Sequence, residues 1–364
     1  MALSSEEIRR YDRQILLPEL GIGGQEKLRN AKVLVIGCGG LGSPILLYLA
    51  AAGVGTLGIV ENDTIQVSNL QRQILYTTEQ VGASKLSQTE QRIKALNPFV
   101  DIYAYPTRLT ATNALAIIEK YDIVVDGTDN FPTRYLVNDA CILLNKPFVY
   151  GAIHRFEGQV ALFNYKGNAT YRDLFPEPPP PHQAPNCSEA GVLGVLPGIV
   201  GSMQALETIK AITGIGEPLA GKLLLIDTLS MQQRIIRIPK IPDSPPIEKL
   251  IDYEAFCGVA STDTPEMDYE EYMALHTQEQ NLPEKSYQLI DVREVHEYHT
   301  FNIGGELMPL SELEKYVPQI RRDKTVVVHC QSGIRSKKAI ALLKEKYGYE
   351  NLINLTGGLN AVSS

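Results

Sequence analysis

Val33-Leu34-Val35-Ile36-Gly37-Cys38-Gly39-Gly40-Leu41-Gly42 decides how this chain reads. Four apolar residues suit a buried strand. Gly37, Gly39 and Gly42 then keep the G-x-G-x-x-G spacing of a turn that opens a helix, with Gly40 inside it. Such a turn lets backbone N–H groups and a helix N-terminus approach a phosphate without side-chain obstruction. The spacing predicts a bound nucleotide and, taken alone, leans towards a dinucleotide such as NAD.

Outward from this stretch, short β-branched runs alternate with longer helical ones. Strands are expected near 56–61, 100–105, 122–126, 147–151 and 158–164, and helices near 41–53, 83–96, 111–119 and 131–144. That alternation predicts an α/β fold: a Rossmann-like nucleotide-binding domain with a mainly parallel sheet. Residues 1–30 read as a helix and a glycine-marked loop over 20–24. A proline-rich segment at 165–190 interrupts the pattern with a long irregular loop. A helix over 197–213 and strands at 222–228 and 232–238 complete a first domain spanning 1–240. Residues 241–266, rich in Pro, Asp and Ser, read as a linker. Residues 267–364 read as a separate small α/β domain, with strands at 287–291 and 324–329 and a helix over 335–346.

Composition narrows the function. The 364 residues are 44% hydrophobic and 21% charged, as in an ordinary soluble protein. A net charge of −8 argues against nucleic acid and anionic membranes as partners. No apolar stretch approaches the roughly 18 residues needed to cross a bilayer. The N-terminus lacks the basic and apolar regions of a signal peptide, so a cytoplasmic protein is expected. The 5 cysteines include no C-x-x-C pair, which argues against disulfides and against a four-thiolate zinc site. Cys38 and Cys141 read as small buried fillers.

Several side chains point to phosphate chemistry rather than hydride transfer. Glu61 ends the second strand, roughly 20 residues past the turn, where a carboxylate accepts hydrogen bonds from ribose. Ser68-Asn69-Leu70-Gln71-Arg72-Gln73 clusters amides and a guanidinium where a nicotinamide would need apolar walls. Arg72 suits bidentate phosphate contact, and Lys85 adds a point charge. Arg13 can join them from its own chain or a neighbour's. Asp129, at the end of the fourth strand, is placed to hold Mg²⁺ beside a triphosphate. Asn130 reads equally as a nucleotide contact or as a helix cap.

Arg10-Tyr11-Asp12-Arg13-Gln14, the 37–42 loop, 68–73, Lys85 and Thr128-Asp129-Asn130 occur in order. Over residues 5–240 the chain resembles the MoeB/ThiF adenylyltransferases, relatives of ubiquitin-activating enzymes. The resemblance implies that ATP and Mg²⁺ activate the C-terminal glycine carboxylate of a small ubiquitin-like sulfur carrier of the MoaD/ThiS type. It also implies a homodimer in which Arg13 reaches the other subunit's site. Many relatives carry a C-x-x-C before the proline run. Here Thr170 and Asp173 stand there, and only Cys257 remains near the domain end, so no zinc is expected. By the same resemblance Cys187, in Pro185-Asn186-Cys187-Ser188, is a candidate covalent intermediate; the inert alternative is an ordinary loop cysteine.

Val326-Val327-Val328-His329-Cys330-Gln331-Ser332-Gly333-Ile334-Arg335-Ser336 delivers a cysteine from a strand into a short loop opening a helix. Backbone N–H groups, the helix N-terminus and the Arg335 charge all favour a thiolate or persulfide there. The loop resembles that of rhodanese sulfurtransferases, and Asp291-Val292-Arg293-Glu294 resembles their other common segment. Asp291 and Arg293 read as braces. The usual aromatic after Thr356-Gly357-Gly358-Leu359 is absent. The resulting expectation is adenylation of the carrier, then transfer of a Cys330 persulfide, direct or through Cys187, to give a thiocarboxylate. The sulfur donor would be a cysteine desulfurase or thiosulfate. The pathway served (molybdopterin, thiamine, cysteine or tRNA thiolation) stays open. Weaker alternatives are a non-catalytic sulfur-relay adaptor and an NAD-dependent oxidoreductase.

Overall fold

The computed structural model describes residues 2–179, 191–242, 246–258, 264–280, 282 and 284–363. The chain divides into two compact units, Met1–Cys257 and Gly258–Ser364.

The first unit opens with α1 (Ser5–Ile15), started by a reciprocal cap between Ser4 and Glu7, and α2 (Gly21–Asn30). The expected 20–24 loop is instead the first turn of α2. Gly21, at φ +58°, makes the entry, and the later glycines are tolerated inside the helix. Then come β1 (Lys32–Ile36), α3 (Gly42–Ala52), β2 (Thr56–Val60), α4 (Lys85–Leu96) and β3 (Asp101–Tyr105). After these lie α5 (Ala114–Ile118), β4 (Ile123–Asp126), α6 (Phe131–Leu143), β5 (Phe148–His154) and β6 (Glu157–Phe163). The described residues complete the unit with α7 (Tyr171–Leu174), α8 (Leu196–Thr213), β7 (Lys222–Asp227), β8 (Gln232–Arg237) and α9 (Tyr253–Phe256).

The sheet order is β3-β2-β1-β4-β5-β6-β7-β8. β3 to β5 are parallel, and β6, β7 and β8 join antiparallel. The continuous apolar run of β1 follows from burial on both faces. Val33 and Val35 pack into one core with Ile45 and Leu49 of α3; Leu34 and Ile36 pack into the other with Tyr135 and Leu136 of α6. The chain reverses its winding between β1 and β4, which places the carboxyl ends of these two strands at a ligand-binding switch point.

Part of the stretch expected as a linker lies in the first unit. Asp252 caps α9, Tyr253 and Cys257 are buried, and the Tyr253 hydroxyl donates to Asp139 at 2.8 Å. Apolar burial outweighs the stretch's proline-rich start.

In the second unit, β9 (Glu266–Met267), α10 (Tyr269–Glu279), β10 (Tyr287–Asp291), α11 (Val295–Thr300) and β11 (Glu306–Leu307) precede α12 (Leu313–Tyr316), β12 (Thr325–His329), α13 (Ile334–Tyr347) and β13 (Leu352–Leu355). A parallel sheet runs β11-β10-β12-β13-β9. Only β10 and β12 were expected, because the other strands are too short to show periodicity. Central β12 ends one residue before Cys330.

Candidate functional site

The glycine turn is built for a close backbone. Gly37 sits at φ +91°, and a Cβ on Gly42 would lie 2.0 Å from the Gly37 carbonyl oxygen. Only glycine closes this turn. The Cys38 amide donates to Glu61 Oε2 at 2.9 Å, and Glu61 Oε1 accepts from the Asn62 and Asp63 amides. Glu61 thus clamps the turn from below while lying at the switch point. The Tyr76 hydroxyl donates to the Cys38 carbonyl at 2.9 Å. Burial pushes the Cys38 and Cys141 thiols well above their usual range, so both are inert fillers.

The 68–73 segment lies against this turn. A Cβ on Gly40 would be 3.5 Å from Arg72 Cγ, and one on Gly39 would be 3.7 Å from Gln73 Nε2. Arg72 donates to the Ser68 carbonyl at 3.0 Å. The Asn69 side chain accepts from the Gln66 amide, and Gln73 Oε1 is buried with no hydrogen-bond partner among the described residues. That orphaned acceptor, beside Gly39, marks a place for a donor. Lys85 begins α4, is 5% exposed, and pairs with exposed Asp63 at 3.0 Å. Arg13 stands apart: it is exposed on α1, with an ion pair to Asp12 at 3.6 Å.

The β4 exit supplies the other wall. A Cβ on Gly37 would lie 3.0 Å from the Gly127 carbonyl oxygen. Asp126 is fully buried and accepts from the Thr128 amide and hydroxyl and from Arg134 Nε at 3.0 Å. Arg134, also buried, donates to the Thr128 carbonyl at 3.3 Å. This pair fixes the loop that leaves Asp129 exposed, with no hydrogen bond or ion pair to the described residues. Asn130 caps α6, its Oδ1 accepting from the Thr133 amide at 3.0 Å. Arg134→Ala strands a buried carboxylate, and thermal unfolding of the first unit is expected to show a loss of about 3–5 kcal/mol; an unchanged midpoint would contradict the brace.

Thr170 and Asp173 form a hydrogen-bonded staple. The Thr170 amide and hydroxyl donate to Asp173 Oδ2 at 2.7 and 2.8 Å, and Asp173 Oδ1 accepts from the Ile241 amide at 2.8 Å. Burial raises the Cys257 thiol to about 12. Among the described residues, no three His, Cys, Asp or Glu side chains gather as a metal cage. Cys187 lies outside the described residues.

In the second unit Cys330 is fully buried at the base of its loop. The Gly333 amide donates to its Sγ at 3.2 Å, and the Ser336 hydroxyl lies 3.5 Å away while donating to Asn354 at 2.6 Å. The turn Gly358–Ser363 closes over this loop: the Leu359 and Asn360 amides donate to the Cys330 and Gln331 carbonyls. A Cβ on Gly358 would lie 2.3 Å from the Cys330 carbonyl oxygen. The missing aromatic therefore does not leave the loop open. Asp291 and Arg293 are both buried and bonded to one another at 2.6–3.0 Å, the expected brace.

Arg335 departs from expectation. Its guanidinium is bidentate on Glu297 at 2.6 and 2.7 Å, so it carries a carboxylate partner that the local sequence does not reveal. Burial works against ionisation of Glu297, but Arg335 outweighs it and holds the carboxyl at about 2.

His329 was missed by sequence reasoning, which gives no signal for it. It is wholly buried, with neither ring nitrogen bonded among the described residues. Burial lowers it from 6.5 to about 4, with Arg293 adding to the effect and Asp291 opposing it. The unfolded chain then takes up a proton that the folded chain refuses. Stability of the second unit should fall by about 3 kcal/mol as pH drops from 6.5 towards 4. Urea midpoints across that range test it; His329→Gln should flatten the decline.

Residues 11–246 match the ThiF family and residues 275–364 the rhodanese-like domain. The chain is 45% identical over 368 residues to the probable adenylyltransferase/sulfurtransferase MoeZ of Mycobacterium tuberculosis, covering 99% of this chain and 94% of that protein. It is 54% identical over 270 residues to the sulfur carrier protein adenylyltransferase of Thermus thermophilus, covering 71% of this chain and all of that protein (100%). Escherichia coli MccB shares the fold, with TM-score 0.60 at 22% identity over 68% of this chain and 74% of that one. No helix among the described residues is long and apolar enough to cross a membrane. The chain belongs to the ThiF family and carries a rhodanese-like domain at residues 275–364.

Proposed function

We propose that this adenylyltransferase and sulfurtransferase converts the C-terminal glycine carboxylate of a small ubiquitin-like sulfur carrier into a thiocarboxylate. The observation that carries the reading is one chain holding both a glycine turn at a β1/β4 switch point and a cysteine cradled by a loop at a strand end.

The carboxylate oxygen attacks the α-phosphorus of ATP, and pyrophosphate leaves. The glycine turn receives the phosphates on its amides. Arg72 and Lys85, the latter exchanging Asp63 for phosphate, stabilise charge on the leaving group. Glu61 takes the ribose, while Ser68, Asn69, Gln73 and Asn130 line the nucleotide. Asp129 fits Mg²⁺ because its carboxylate is exposed and unclaimed; the ion would supply further neutralisation of phosphate charge. Arg13 would serve the site of a second copy in a homodimer.

A persulfide on Cys330 then attacks the acyl carbon, and AMP leaves. Attack on the Cys330 sulfur by a second thiolate, that of Cys187 or an external one, releases the thiocarboxylate and leaves a disulfide on Cys330. An external dithiol reduces it. Exchange of labelled pyrophosphate into ATP tests the first half. It should require carrier, ATP and Mg²⁺ together; exchange without carrier, or none with it, would contradict the reading.

A further inference from the structure

Glu61 has less capacity for a ribose than its place after β2 implies. A ribose presents two adjacent hydroxyls, and gripping both takes two free acceptor positions. A carboxylate offers about four such positions in all. Backbone amides already fill three of them. Asn62 and Asp63 donate to Oε1 at 2.8 and 2.9 Å, and Cys38 donates to Oε2 at 2.9 Å. Oε1 is therefore saturated, and one position remains, on Oε2.

The carboxylate is not free to turn and offer more. The Glu61 amide donates to the Tyr105 carbonyl at 3.2 Å, and the Gly37 amide donates to the Val60 carbonyl at 2.9 Å. These bonds tie the end of β2 to β3 and to the glycine turn. Rotating the side chain would strand the amide of Cys38, a fully buried residue, and an unpaired buried donor is costly. Glu61 itself is 9% exposed, which leaves a narrow approach to the open position.

We propose that Glu61 holds a single ribose hydroxyl of the nucleotide, so that the site selects for that hydroxyl and tolerates loss of the other. This rests on the proposed placement of ATP at the glycine turn.

The test measures dissociation constants of ATP, 2′-deoxy-ATP and 3′-deoxy-ATP on the full chain with Mg²⁺ by calorimetry. One deoxy nucleotide should bind about tenfold to a hundredfold more weakly than ATP, the effect of losing one hydrogen bond to a charged acceptor. The other should bind as tightly as ATP. In Glu61→Ala the sensitive analogue should match ATP. That ratio is taken within one protein, so any general loss from a loosened glycine turn cancels. The wild-type series decides the matter even where the variant binds too weakly to measure. Comparable weakening of both analogues would show two gripped hydroxyls and overturn the proposal. So would no weakening of either, or a preference that survives Glu61→Ala. Each of these results leaves ATP at the turn. Absence of ATP binding to the wild-type chain would overturn the nucleotide placement and the proposal with it.

Discussion

Cys330→Ala is expected to abolish thiocarboxylate formation while leaving carrier-dependent pyrophosphate exchange at the wild-type rate. The sulfur atom is the reactant, so no neighbour replaces it; product should fall by about a thousandfold or more. The substitution removes one buried atom from a loop that other bonds hold. The Cys330 backbone still accepts from the Leu359 amide, and Asp291 and Arg293 still brace from beneath. Folding should therefore survive, which thermal unfolding would confirm. Intact-mass analysis of the carrier should then find the adenylate accumulating. Full thiocarboxylate yield from Cys330→Ala with a sulfane donor would show that sulfur reaches the carrier by another route.

The mirror-image result is expected from Arg72→Ala and Asp129→Asn. In the proposed reaction Arg72 would neutralise the leaving pyrophosphate directly and Asp129 would do so through Mg²⁺, so pyrophosphate exchange should fall about a hundredfold to a thousandfold in each variant. Neither should unfold the protein. Asp129 is exposed and unclaimed among the described residues, and Arg72 gives up a single bond to the Ser68 carbonyl. Sulfur loading of Cys330 should be untouched. Exchange that persists in Asp129→Asn at saturating Mg²⁺ would remove Asp129 from the phosphate site.

Much of this arrangement was legible in the sequence because local rules specify it. The β1 run with its glycine turn, the Asp126-to-Asn130 strand end and the Cys330 loop each join a buried strand to a turn with defined chemistry. What stayed hidden depends on partners distant in sequence. Arg134 gave no signal because its meaning is Asp126 at its back. Arg335 looked like a free charge because Glu297, 38 residues earlier, is invisible to local reading. The helical first turn at 20–24 reads as a loop because glycine marks both loops and close helix packing. The 241–266 stretch reads as a linker, yet its Tyr253 and Cys257 are buried through partners distant in sequence, such as Asp139 of α6 beneath Tyr253.

The most direct test of the central claim is the mass of the carrier after reaction with the intact chain. With ATP and Mg²⁺ alone, the carrier should gain one adenylyl group. With a persulfide donor and a dithiol added, that species should give way to a carrier in which one oxygen is replaced by sulfur. A carrier unchanged under both conditions, or a thiocarboxylate formed without ATP, would contradict the account.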